Sequence, residues 1–102
     1  MTLLQTYVQL HNLGVEAGDF HDLLALFSDE AVLEFRGIPL GPFRGRPAIA
    51  RAFAERPPDD QLVLLDGEGS YAWLREPGRR AGRIRLDGSD MIVRLVIIRE
   101  GA

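Results

Sequence analysis

The segment from Met91 to Glu100 constrains this chain more than any other, because aliphatic side chains occupy almost every position in it. Strand side chains alternate between the two faces of a sheet. Val93, Leu95 and Ile97 therefore share one face, and Ile92, Val96 and Ile98 share the other, where only Arg94 is charged. A half-solvated antiparallel strand alternates apolar with polar residues. This one asks for cover on both sides. Helices of the same chain can supply one cover, but a chain of 102 residues has little left for a second layer. The second face points to another copy, a homodimer through Ile92, Arg94, Val96 and Ile98.

The rest of the chain supplies the helices. Between Leu3 and Val15 the apolar residues recur at helical spacing. Asp19 suits the N-cap of a second helix, whose Phe20, Leu23, Leu24 and Phe27 form one apolar stripe. Ala31 to Phe35 has the length of a strand. Glycines at 37, 41 and 45 and prolines at 39, 42 and 47 then force a loop. Pro47 opens a third helix, with Ile49, Ala52 and Phe53 facing inward, and Pro57-Pro58 ends it. Gln61–Leu65, Tyr71–Arg75, Arg79–Leu86 and Met91–Glu100 read as strands, the last two joined by the hairpin signal Asp87-Gly88. The expectation is one α+β domain over residues 1–102, with three N-terminal helices packed on a curved antiparallel sheet. Leu24, Phe27, Ile49, Phe53, Trp73, Leu95 and Ile97 are the expected core.

Two absences narrow the chemistry. No cysteine is present, which removes disulfides, thiol nucleophiles and thiolate metal sites. No lysine is present either, so Schiff-base chemistry and the phosphate loop ending in Gly-Lys are excluded. His11 and His21 lack HExxH spacing, and Ser28, Ser70 and Ser89 lie outside any GxSxG motif. No cofactor and no metal are expected. Gly67-x-Gly69-x-x-Ala72 approaches a dinucleotide fingerprint but leads into a strand, so its mechanism is missing. General acid–base chemistry or plain binding survives.

Charge and hydropathy set the partners. The formal charge is −3, with the arginines concentrated after residue 71. Alternating Arg79, Arg83 and Arg85 read as solvation of a sheet face rather than a nucleic-acid surface, given the acidic total. No apolar run approaches the roughly 20 residues of a bilayer span. The first residues lack the basic start of a secretory signal, and cytoplasm is the expected compartment.

Two stretches carry a family resemblance. Glu16-Ala17-Gly18-Asp19 followed by Leu23 to Ala31 is one, and Gly41-Pro42-Phe43-Arg44-Gly45-Arg46-Pro47-Ala48-Ile49 with Phe53 is the other. Together they resemble the nuclear transport factor 2-like superfamily, which includes ketosteroid isomerase, the SnoaL-like polyketide cyclases, scytalone dehydratase and limonene epoxide hydrolase. The resemblance implies a cone-shaped, cystatin-like α+β barrel with an internal pocket for a small hydrophobic molecule. It does not specify chemistry.

The departures from ketosteroid isomerase fall on three positions. That enzyme uses a helix-one Tyr, an Asp base at the end of the first strand, and a protonated Asp on a later strand. Those positions fall here on His11, Phe35 and Gly82. His11 stands where relatives place a hydrogen-bond donor and is the candidate acid–base residue. The plainer reading is a core histidine satisfied by a backbone carbonyl. Tyr7, one turn earlier, shares its helix face; Phe35 and Trp73 complete the candidate ligand walls. Glu34 alternates with Phe35 and faces away from the pocket, and Arg94 reads as an interface ion-pair residue. Three readings stay open: a small-molecule binder, a cofactor-independent isomerase, cyclase or lyase using His11, and a dimerising interaction domain without a working pocket.

Overall fold

The computed structural model describes residues 1–100. Helix α1 (Leu3–Ala17) begins at a reciprocal cap: Thr2 Oγ1 accepts from Gln5 N (3.1 Å), and Gln5 Oε1 accepts from Thr2 N (2.8 Å). It ends at Gly18, whose φ of 71° places it in the left-handed region that glycine adopts without penalty. Tyr7, His11 and Gly14, at i, i+4 and i+7, form its buried face.

The second helix is shorter than its stripe implies. Only α2 (His21–Leu24) is helical, with Asp19 Oδ1 accepting from His21 N at 2.9 Å. Phe27, expected on that helix, opens strand β1 (Phe27–Arg36) and is fully buried. Four turn-forming residues are too few to hold a helix against a strand that buries Phe27, Ala31 and Leu33 on the core side. After β2 (Phe43–Arg44), helix α3 (Arg46–Glu55) carries a proline in its first turn, as expected.

Strands β3 (Leu62–Leu64), β4 (Ser70–Trp73), β5 (Arg80–Gly88) and β6 (Ile92–Arg99) follow as an antiparallel meander. The sheet runs β2-β1-β6-β5-β4-β3. It is curved and does not close into a barrel. Its one parallel pairing, β1 with β6, joins the early strand to the end of the meander, which the local pattern alone does not reveal. The helices and the inner face enclose the core: Tyr7, Leu23, Phe27, Ile49, Ile92 and Leu95 are all at most 1% exposed. Of the other expected core residues, Leu24, Phe53, Trp73 and Ile97 are half-buried and pack against this cluster. Among the described residues no helix is long and apolar enough to cross a membrane.

The outer face corrects the reading of β6. Ile92, expected there, is completely buried in the core, while Val93, expected inside, is half-exposed. Register shifts between Phe27 and Val32 and between Asp87 and Gly88 break strict alternation at this end of the strand. Beyond them alternation resumes. Val96 lies between Glu34 and Arg85, and Ile98 between Arg36 and Arg83. Arg94, expected to pair across an interface, instead binds Glu34 of its own chain at 2.7 Å, and Arg36 binds the same carboxylate at 2.9 Å. Arginine stems cover apolar neighbours while their heads stay solvated. The face that needs a second layer is therefore partly covered by its own flanking rows, and Val96 is only 6% exposed.

Candidate functional site

A cavity of about 690 Å³ opens between α1, α3, the 37–43 loop and the inner face of the sheet. Strand alternation builds its wall: Leu33 and Phe35 of β1, Tyr71 and Trp73 of β4, and Ile84 and Ile97 of β5 and β6 all project to one side. Ile38, Leu40 and Phe43 from the loop close another side, with the Phe43 and Phe35 rings edge-to-face at 6.4 Å. Helix α1 contributes Tyr7 and His11. The structure thus brings Tyr7, His11, Phe35 and Trp73 to one cavity.

His11 is engaged by the segment that precedes β3. Its Nε2 lies 2.9 Å from the backbone oxygen of Asp60. A carbonyl only accepts, so Nε2 carries the proton and donates. Nδ1 then holds the lone pair, and it is buried without a partner. Burial pushes the imidazole below its ordinary pKa, against the opposite pull of the Asp60 hydrogen bond. The neighbouring Asn12 clamps the same segment, donating to Leu62 O at 2.8 Å and accepting from Leu62 N at 2.7 Å. His11 and Asn12 together staple α1 to the start of β3. The donor that the resemblance asks of position 11 is spent on that staple.

The phenols behave differently. Burial, and then the nearby Tyr71, raise the Tyr7 hydroxyl well above its ordinary pKa. Burial also raises Tyr71, against the lowering effect of the Arg99 guanidinium. Both remain neutral donors near neutral pH. Tyr71 is one of the lining residues that the sequence reading missed, with Leu33, Phe43, Ile84 and Arg99 among the others. The signal was available, since Tyr71 shares a strand face with Trp73, and their rings meet edge-to-face at 5.6 Å.

Among the described residues no carboxylate is buried. Phe35, where the resemblance places a catalytic base, is apolar. At Gly82 a Cβ would overlap the carbonyl oxygen of Ile98 and press on the Tyr71 ring, so no side chain fits. Glu34 lies on the outer face, where Arg36 and Arg94 hold its carboxyl below the usual range. The acids that line the cavity, Glu55, Asp59 and Asp60, belong to α3 and the segment after it, and Asp60 binds Arg75 at 3.2 Å. His21 is exposed at the start of α2. Among the described residues no three His, Asp or Glu side chains converge as metal ligands.

No protein-family model and no curated protein matches the chain by sequence. Solved structures do match its fold. An NTF-2 like protein of unknown function from Burkholderia xenovorans aligns at TM-score 0.65 and 16% identity, covering 98% of this chain and 86% of that one. A Mycobacterium tuberculosis protein in complex with estradiol-17beta-hemisuccinate aligns at 0.63 and 14%, covering 95% and 93%. The Delta 5-3-ketosteroid isomerase from Mycobacterium sp. aligns at 0.59 and 20%, covering 95% and 92%. The fold is that of nuclear transport factor 2-like proteins.

Proposed function

We propose that this chain of nuclear transport factor 2-like fold, one domain over residues 1–102, binds a small hydrophobic molecule and does not turn it over. The carrying observation is the cavity: about 690 Å³ of space walled by Leu33, Phe35, Phe43, Trp73, Ile84 and Ile97, with Tyr7, His11 and Tyr71 among these walls and charged residues such as Asp60, Arg75 and Arg99 also lining it. Volumes of roughly 300–1,000 Å³ with a few placed polar groups are the range of ligand sites. A void in an apolar core costs stability, and an occupant offsets that cost. The steroid held by the structurally similar Mycobacterium tuberculosis protein supports a polycyclic or similarly bulky apolar ligand. Tyr7, His11, Phe35 and Trp73 are the proposed contacts, joined by Tyr71. No cofactor is invoked, and a cytoplasmic location belongs to the same reading.

The alternative is a cofactor-independent isomerase, cyclase or lyase with His11 as its acid–base group. Its support is the buried, unpartnered Nδ1 of a residue that lines the cavity. Proton transfer also needs a second polar group within hydrogen-bond reach of the same reacting atom. The committed Nε2–H weighs against it, as does the absence of a buried carboxylate among the described residues. Trp73 is the only tryptophan, so its fluorescence reports on the cavity directly. Titration with estradiol should quench or shift that emission saturably, while an unconjugated ketosteroid should not be isomerised. Rapid isomerisation by the wild type would overturn the binder reading. Equal affinity of wild type and His11→Ala at pH 6 and pH 8 would remove His11 from the site.

A homodimer through the outer sheet face belongs to the proposal in reduced form. With Ile92 inside the core, Val96 and Ile98 are the remaining apolar centre, framed by Glu34 and Arg94. Ile98 is the better probe, being half-buried within the chain. Ile98→Glu should convert a sedimenting dimer to monomer; a wild-type monomer removes the dimer.

A further inference from the structure

A second recess of about 220 Å³ adjoins the cavity, and the two share Trp73, Arg75 and Arg99. The Arg99 guanidinium lies 5.5 Å from the Trp73 ring centroid, so the pair forms a saddle between an apolar chamber and an arginine-rich one. Arg75, Arg79, Arg80 and Arg99 line the smaller recess with Glu76 and Glu100. Arg80 holds Glu100 at 2.9 Å, and Arg75 reaches back to Asp60 at 3.2 Å. Among the described residues Arg79 and Arg99 have no carboxylate partner, and Glu76 is the one acid of the recess left unpaired. Excess cation thus stands one aromatic ring from the apolar wall.

We infer that the ligand of this cavity is an amphipathic acid, with its apolar body inside and an anionic head, carboxylate or phosphate, seated over the saddle on Arg99 and Arg79. The inference rests on the binder reading and adds the head group to it. Planar guanidinium forks bind such oxygens with charge-assisted hydrogen bonds, which a neutral head cannot match. Arg99 is exposed and stacked on Trp73, so it meets the head after the body has entered and sets selectivity between acids and their neutral analogues.

The test compares three ligands of one apolar length, dodecanoate, dodecyl phosphate and 1-dodecanol, by Trp73 fluorescence below their micellar range. The wild type should bind both acids about tenfold more tightly than the alcohol at low salt, from the usual strength of a charge-assisted bond. Arg99→Gln should erase that preference by weakening the acids about tenfold more than the alcohol, and Arg79→Gln should reduce it by less. Arg36→Gln, on the outer face, should preserve it. Equal affinity of acid and alcohol for the wild type overturns the inference and leaves the binder standing. An equal loss for all three ligands in Arg99→Gln makes Arg99 a wall and also overturns it. No binding of any ligand overturns the binder reading itself. A preference for only one acid keeps the inference and identifies the head group.

Discussion

On the outer face of the sheet, Val96 stands in register between Glu34 and Arg85; one residue further along β6, on the inner face, Ile97 stands between Phe35 and Ile84. The two rows share one backbone and bury themselves differently. Outside, Val96 has charged register neighbours and is 6% exposed without another layer. Inside, three apolar side chains face helices that do not reach them, and the space between is the cavity. A doubly apolar strand thus has two physical solutions within one small chain. One is burial between charged rows of the same sheet; the other is a chamber that a guest can fill.

The sharpest way to break this contrast is to put charge on the inner face at Gly82 and Phe35, the positions where the resemblance to ketosteroid isomerase places carboxylates. Gly82→Asp should cost about 3 kcal/mol or more, because its Cβ meets the Ile98 carbonyl and must part β5 from β6. Phe35→Asp, on the cavity wall, should fold with a smaller loss, since its carboxylate has open space and water beside it. Urea unfolding followed by circular dichroism compares them. A Gly82→Asp protein as stable as wild type would show that β5 can shift, and that the missing carboxylate is an accident of sequence.

Next in size is the difference between the core and the outer cover. Leu95 is fully buried, and Leu95→Ala should cost about 2–5 kcal/mol, as core leucine truncations do. Ile98→Ala, half-exposed between Arg36 and Arg83, should cost about 1 kcal/mol. Equal losses in urea midpoint would mean that the outer face is as well packed as the core.

Much of this arrangement was legible before any coordinates. The helical stripe of α1 and the Pro47 start of α3 are local signals that lie where the residues place them; the hairpin forms as well, but Asp87 and Gly88 end β5 and the turn falls at 89–91. Phe27 misled because its spacing fits a helix and its burial fits a strand equally well; the tertiary contact with β6 decides. Ile92 misled because alternation was counted through a bulge, which has no composition of its own at this position. Phe35 and Trp73 were read as candidate walls, Leu33, Phe43 and Ile84 were not, and Tyr71 was within reach of strand alternation from Trp73. The Asp60 carbonyl was not, since His11 and Asp60 lie 49 residues apart and a backbone acceptor leaves no mark in a sequence.

The smallest expected effect concerns that staple. His11 is held neutral by burial, with its pKa lowered in the folded chain. Unfolding returns it to its ordinary value near 6.5, so the unfolded chain binds a proton at a pH where the folded chain does not. Stability from this group is therefore complete above about pH 6.5 and is lost progressively as pH falls toward the folded-state value. The urea midpoint should decline between pH 7.5 and pH 5.5, a window above the ordinary carboxylate range, so that Glu34 and Asp66, both lowered further in the folded chain, stay ionised throughout. His11→Gln should flatten that slope, because an amide can donate to Asp60 O without titrating. His21→Gln, at an exposed position, is the control and should keep the slope. If His11→Gln retains the full decline, the proton that weakens the fold is taken up elsewhere, and the imidazole is not held neutral by burial. If the slope flattens and estradiol affinity is unchanged, His11 serves the fold rather than the guest.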